Sequence, residues 1–155
     1  MSVESVRAFF LEKAPEIAVL ESDMSSATVV LAAEAFGVKP EEIAKTLSLR
    51  VGERAFLVVT KGTARLDNKK AKAAFGGKPR MLNAEEVVDV TGHPVGGVCP
   101  FGLKTPLQIY CDISLKDFNE VVPAAGSTNS AVRISPQRMA DLVAAEWVDV
   151  CQPQG

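Results

Sequence analysis

The only histidine of this 155-residue chain, His93, lies six positions before one of its three cysteines, Cys99, in the stretch TGHPVGGVCPFGL. A thiolate nucleophile needs a base or a cation to lower its pKa, so these are the residue types of a thiol and its activator. They equally suit a small buried cysteine near a histidine held extended by Pro94. Zinc would need three or four ligands, and one histidine with the scattered Cys99, Cys111 and Cys151 matches no ligand spacing, so no metal is expected.

The glycines and prolines of GHPVGGVCPFG offer a second chemistry. Glycine lets backbone amides approach a ligand and proline stiffens the loop, so its N–H groups could bind a carbonyl or an oxyanion. A surface loop of tight turns has the same composition. Lys45, in EIAKTLSL, is a third candidate. Glu41 four residues earlier would give a helical surface ion pair worth about 0.2–0.5 kcal/mol. Its apolar neighbours instead place the charge where a helix meets a central-looking strand, which is costly without a function. GTARLDNKK lacks the Gly-Lys-Ser/Thr ending of a phosphate loop and no GxGxxG follows a strand, so no nucleotide cofactor is expected.

These residues need elements to position them. Val3, Val6, Phe9 and Phe10 recur at helical spacing and predict a helix over 2–13 that stops before Pro15. IAVLES reads as a short strand, and SSATVVLAAEAFG as a largely buried helix capped by its serines and closed by Gly37. Pro40, Glu41 and Glu42 open a short helix that delivers Lys45 to its end. TLSLRVGERAFLVVT is a hairpin turning at Gly52.

LDNKKAKAAFGG predicts an exposed basic helix, PRML a short strand, and NAEEVVDVTG a helix with Asn83 and Glu86 as a capping pair. LQIYCDISL and VVPAAGSTNSAVRIS contain strands, Ser135 and Pro136 open a last helix through about residue 146, WVDVC is a strand or extended tail, and QPQG is a frayed end. Helices and strands interleaved in this way predict an α/β (α+β) fold, with a mixed, partly antiparallel sheet and helices packed around it.

Length and composition suit one compact domain over residues 1–155, with 47% hydrophobic and 23% charged residues and no repeat or linker. Glu4, Arg7, Glu12 and Lys13 interrupt the N-terminus, so no export signal and no membrane partner is expected. An odd cysteine count without CxxC spacing fits a reducing cytoplasm. Net charge is −2, yet Lys61, Arg65, Lys69, Lys70, Lys72, Lys78 and Arg80 lie within twenty residues that hold one acid, Asp67. Such a segment either steers a polyanion or forms a solvated helix face.

The order of an Ala-rich helix, IAKTL, a hairpin ending VVTKG, GHPVGGVCPFG, YCDISL and AAG resembles the YbaK/EbsC-type aminoacyl-tRNA editing domains, from about residue 22 to 150. These are freestanding homologues of the editing domain inserted in bacterial prolyl-tRNA synthetase. The resemblance implies a curved mixed sheet surrounded by helices. It also implies hydrolysis of the ester joining a wrong small amino acid to tRNA, with tRNA for proline the leading carrier.

Lys45 matches the family's functional lysine, and Gly96, Gly97, Val98, Cys99 and Pro100 match its Gly-x-x-x-Pro loop. Gly126 in AAG matches a glycine lining the same pocket, the adjoining Ser127 is a further substrate-binding candidate, and Asp112 matches a recurrent acid read first as structural. Lys45 and Gly96 are the expected catalytic pair. Met24 and Thr28, around the helix that begins near Ser25, are the expected wall of the amino-acid pocket.

Lys45 would hold the terminal adenosine, loop amides would orient the carbonyl, and a bound water would attack with help from a tRNA ribose hydroxyl. Lys61, Arg65, Lys69 and Lys70 are the candidates to face RNA, and delivery of the acceptor end would rest on the chain itself or on a synthetase or elongation factor. Two rivals remain: a noncatalytic tRNA- or aminoacyl-binding regulatory module, and a Cys99-dependent small-molecule hydrolase.

Overall fold

The computed structural model describes residues 2–153. At its centre is the hairpin of β2 (Ile43–Val51) and β3 (Arg54–Lys61), closed by a two-residue turn whose first residue, Gly52, has φ +59°. A left-handed first turn residue matches the twist of the flanking strands, and glycine adopts it without strain. β5 (Gln108–Asp112) joins β3 in parallel, and β8 (Glu146–Val148) joins β5 in parallel. The other edge of β2 carries two short partners at different heights: β6 (Val122–Pro123) parallel at Ile43–Ala44, and β4 (Arg80–Met81) antiparallel at Leu49–Arg50. The sheet is therefore mixed and partly antiparallel, as expected from the hairpin. A separate two-stranded ribbon pairs β1 (Leu20–Glu21) with β7 (Ser130–Ala131).

The alternation of a strand sorts its side chains onto two faces, and here both are covered. One face gathers Ala44, Leu57, Val59, Ile109 and Cys111 with Val6 and Phe10 of α1 (Ser2–Lys13) and Met139 of α5 (Pro136–Leu142). The other sets Leu49, Phe56, Val58 and Tyr110 against Ala71 and Phe75 of α3 (Asn68–Phe75). Double coverage explains why β3 reads as a nearly continuous apolar run. A third cluster joins Ala32 and Ala33 of α2 (Val29–Phe36) to Ile43, Val122 and Ala131.

Several boundaries differ from the sequence expectation. α2 is capped by Thr28, whose Oγ1 accepts from Leu31 N, because residues 22–26 are tied to the 128–129 loop through Ser22 N to Asn129 O and Ser26 N to Thr128 O. It is not largely buried: Val30 is 58% and Leu31 37% exposed. The short helix at Pro40–Glu42 is a 3₁₀ turn that ends before Lys45, which stands inside β2. α5 stops at Leu142 and the chain reverses through Ala144 at φ +53° to begin β8 at Glu146. In the QPQG end, Gln152 is held by its N–H to Arg65 O, and residues 154 and 155 lie outside the described residues. α4 (Ala84–Thr91) carries the expected reciprocal cap of Asn83 and Glu86.

Candidate active site

Because β6 and β4 reach only the two ends of β2's outer edge, the stretch between them has no neighbouring strand. A cavity of about 230 Å³ opens there. Its walls are the start of α2 and the segment before it (Ser26 to Val29, Ala32, Phe36), β2 from Ile43 to Thr46 with Ser48, Leu82 and Val87, Val95, Gly96 and Val98 of the loop, and Val122, Ala124, Ser130 and Ala131. Lys45 and Gly96, distant in sequence, thus line one cavity. Among the described residues that line it there is no carboxylate, histidine or cysteine.

Gly96 sits at φ +90°, and a Cβ on it would lie 3.0 Å from Ala27 Cβ and 3.2 Å from Ala27 O, so the loop rests on the segment leading into α2. Gly97 is more tightly held: its N–H donates to Pro94 O, its carbonyl accepts from Gly126 N, and a Cβ would meet Ser127 N at 2.7 Å. That removes Gly97 N–H from the amides available to a substrate. Val98 lines the cavity, whereas Cys99 and Pro100 are buried behind it. Gly126 packs on α1, where a Cβ would come within 2.7 Å of Ser2 O. Ser127 is not among the lining residues, but its hydroxyl lies 2.6 Å from that of Ser130, which is. Of the two expected wall residues, Thr28 lines the cavity and Met24 stands outside it, 51% exposed.

The Lys45 ammonium is half-buried and donates to Ala64 O rather than pairing with Glu41. Burial lowers its pKa, the nearby Cys151 opposes that shift, and the Arg65 charge adds to it. A lysine so placed holds its charge reluctantly, and an anionic phosphate or a developing oxyanion would restore it.

His93 and Cys99 are neighbours, with Sγ 3.6 Å from Nε2, but they do not form a nucleophile and its base. His93 Nε2 lies 2.8 Å from the Phe101 carbonyl, so it carries the proton and donates it there, leaving no lone pair on that nitrogen for the thiol. Burial also pushes the Cys99 thiol up to about 12 and lowers the His93 pKa. The pair belongs to the packing beneath the loop, with Cys99 fully buried among Phe101, Phe10 and Val6. Asp112 has a structural place too: its Oδ1 accepts from Val150 N, tying the segment after β8 to the end of β5, and its Oδ2 accepts from Ser114 N two residues on. No group of three His, Cys, Asp or Glu placed to hold a metal occurs among the described residues.

The basic segment divides into spent and free charges. Lys61 is 7% exposed and paired with Asp117 at 2.9 Å, and Lys70 bonds Asp149 and the Cys151 carbonyl. Arg80 pairs with Glu86. Arg65, Lys69 and Lys72 are exposed along the approach to α3 and on the helix itself, with Arg65 next to the Lys45 charge. No helix among the described residues is long and apolar enough to cross a membrane.

A profile of the aminoacyl-tRNA editing domain matches residues 24–142. The uncharacterized protein YwhH of Bacillus subtilis is 47% identical over 154 residues, covering 98% of each chain. A protein of Enterococcus faecalis named "Putative Cys-tRNA(Pro)/Cys-tRNA(Cys) deacylase EbsC" is 28% identical, over 87% of this chain and 82% of its own. A solved structure described as a "putative trans-editing enzyme for prolyl tRNA synthetase" superposes with a TM-score of 0.90 at 32% identity, covering 98% of both chains.

Proposed function

Because the chain belongs to the aminoacyl-tRNA editing domain family, we propose that it is a deacylase acting in trans on tRNA for proline that carries a small non-cognate amino acid. The observation that carries this reading is that Lys45 and Gly96 line one cavity whose walls offer no acid, imidazole or thiol. Its volume of about 230 Å³ is below the roughly 300–1,000 Å³ of pockets for drug-sized ligands. It suits the aminoacyl group alone, with the terminal adenosine at the mouth near Lys45 and Arg65.

In this reading the amides of Gly96 and Val98 orient the ester carbonyl and take up charge as it becomes tetrahedral. Lys45, released from the Ala64 carbonyl, holds the phosphate or ribose of the terminal nucleotide. A water attacks the carbonyl carbon, the bond to the ribose oxygen breaks, and that oxygen leaves with a proton passed through the neighbouring ribose hydroxyl. The products are free amino acid and intact tRNA, and rate comes from positioning, since no protein base stands in the cavity. Arg65, Lys69 and Lys72 would follow the acceptor strand, with a synthetase or elongation-factor complex as a further means of delivery in the cytoplasm.

The test is single-turnover hydrolysis of alanyl-, cysteinyl-, seryl- and threonyl-tRNA for proline. The wild-type chain should deacylate at least one, and Lys45→Ala should abolish that activity with the thermal midpoint kept. Full activity in Lys45→Ala would sink the assigned role, and tight binding of every ester without turnover would make the chain a binding module.

A further inference from the structure

One wall of the cavity carries polar groups that the proposed mechanism leaves unused. In the antiparallel pair of β2 and β3 the hairpin closes at Val51 and Arg54, so odd-numbered residues of β2 turn their N–H and C=O toward β3 and even-numbered ones turn theirs outward. Of the outward set, Ala44 meets β6, Ser48 O accepts from Leu82 N at 3.0 Å, and Arg50 meets β4. The outward peptide groups of Thr46 fall between these partners and face the gap that the cavity fills. Two side chains at the same cavity add to this. Thr46 Oγ1 and Ser26 Oγ are buried without any hydrogen-bond partner, and both residues line the cavity. Buried polar groups are almost always satisfied, so two unpartnered hydroxyls beside an outward strand-edge carbonyl and N–H call for a polar ligand that can both donate to them and accept from them.

We propose that the open edge of β2 at Thr46, together with Ser26, binds the α-amino group of the aminoacyl ester. This rests on the deacylase reading for the identity of the ligand. An ester of an amino acid presents three groups to the cavity. The carbonyl belongs with the loop amides, and an aliphatic or small side chain belongs with Val29, Ala32, Phe36, Ile43 and Val122. What is left is the amine, which is the donor group, and the Thr46 carbonyl with the two hydroxyls supplies acceptors to match it. Lys45 is the only charged residue among the described lining residues and no carboxylate answers a second cation, so the amine enters uncharged and is read by hydrogen bonds alone. The enzyme therefore recognises an aminoacyl group as such, and discriminates against esters that lack the amine.

Alanyl-tRNA and propionyl-tRNA for proline differ only by that amine, and their comparison is the test. The ratio of variant to wild-type kcat/KM on each ester cancels the different intrinsic lability of the two. Thr46→Val combined with Ser26→Ala should lower kcat/KM on alanyl-tRNA by about tenfold or more, mainly through KM, and change propionyl-tRNA by less than about threefold. The thermal midpoint should not fall, because neither hydroxyl has a protein partner to lose; a structural role would lower it.

Binding of 3′-alanylamino-3′-deoxyadenosine against its propionyl counterpart, by calorimetry, reads the same preference without turnover. Wild-type preference for the alanyl compound that disappears in the double variant supports the amine site even if the chain hydrolyses nothing, in which case the deacylase reading alone fails. Equal losses on alanyl and propionyl esters, or equal wild-type binding of the two adenosines, would overturn the amine site.

Discussion

Gly96→Ala is the substitution that separates loop placement from overall stability. At φ +90° an alanine is strained by about 1–2 kcal/mol, and for a chain of this length each kcal/mol moves the thermal midpoint by roughly 2–4 °C, so a fall of about 2–8 °C is expected. The new methyl would also stand 3.0 Å from Ala27 Cβ and 3.1 Å from its Cα, distances that require a shift of a few tenths of an ångström between the loop and the segment leading into α2. Both sides of that contact line the cavity. Because a misplacement of about 1 Å can cost 10²-fold in rate, a shift of this size should cost about tenfold in kcat/KM for deacylation. Gly37→Ala supplies the control: it is strained at φ +68° with nothing within 4 Å, and it lies outside the cavity. It should lower the midpoint comparably and leave kcat/KM near the wild-type value. If Gly96→Ala keeps wild-type kcat/KM while losing only as much stability as Gly37→Ala, the loop does not position the substrate and the reasoning fails.

Two further substitutions test the remaining assignments. Cys99→Ala should keep measurable hydrolysis and lower the thermal midpoint, since the thiol is fully buried, pushed up to about 12, and outside the cavity; a folded but inactive variant would restore a thiol mechanism. Charge reversal at Arg65 and Lys69 should weaken tRNA binding and flatten its salt dependence, whereas Lys61→Met should leave both near the wild-type values because its ammonium is buried and already paired with Asp117, and filter binding across a salt series distinguishes the two.

Local chemistry made much of the fold readable. The boundaries of α1, the hairpin turn at Gly52 and the Asn83–Glu86 cap follow from rules that act within a few residues, and the structure keeps all three. Where a distant segment decides, the sequence misled. Ser25 and Ser26 have the composition of a helix cap, but the 128–129 loop claims Ser26 N and delays α2 to Thr28. The pair Glu41 and Lys45 has helical spacing, yet the 3₁₀ turn gives way to β2 at Ile43 and the two residues no longer share a face. The basic run shows the same limit, because acids at positions 117 and 149, far away in sequence, occupy Lys61 and Lys70.

The cavity itself depends on something no single segment encodes. β4 and β6 are each two residues long, and both pair with the same edge of β2. Had either been two or three residues longer, its backbone would have covered Thr46 and completed the sheet. Their shortness leaves a stretch of strand edge open at the cavity, where a ligand would meet fixed hydrogen-bonding groups at no cost in side-chain ordering. The same gap explains why the site contains so little conventional catalytic apparatus. In the proposed deacylase, backbone from β2 and from the loop at Gly96 would face the ligand from two sides, leaving the chemistry to groups whose geometry the fold fixes and to the substrate's own ribose.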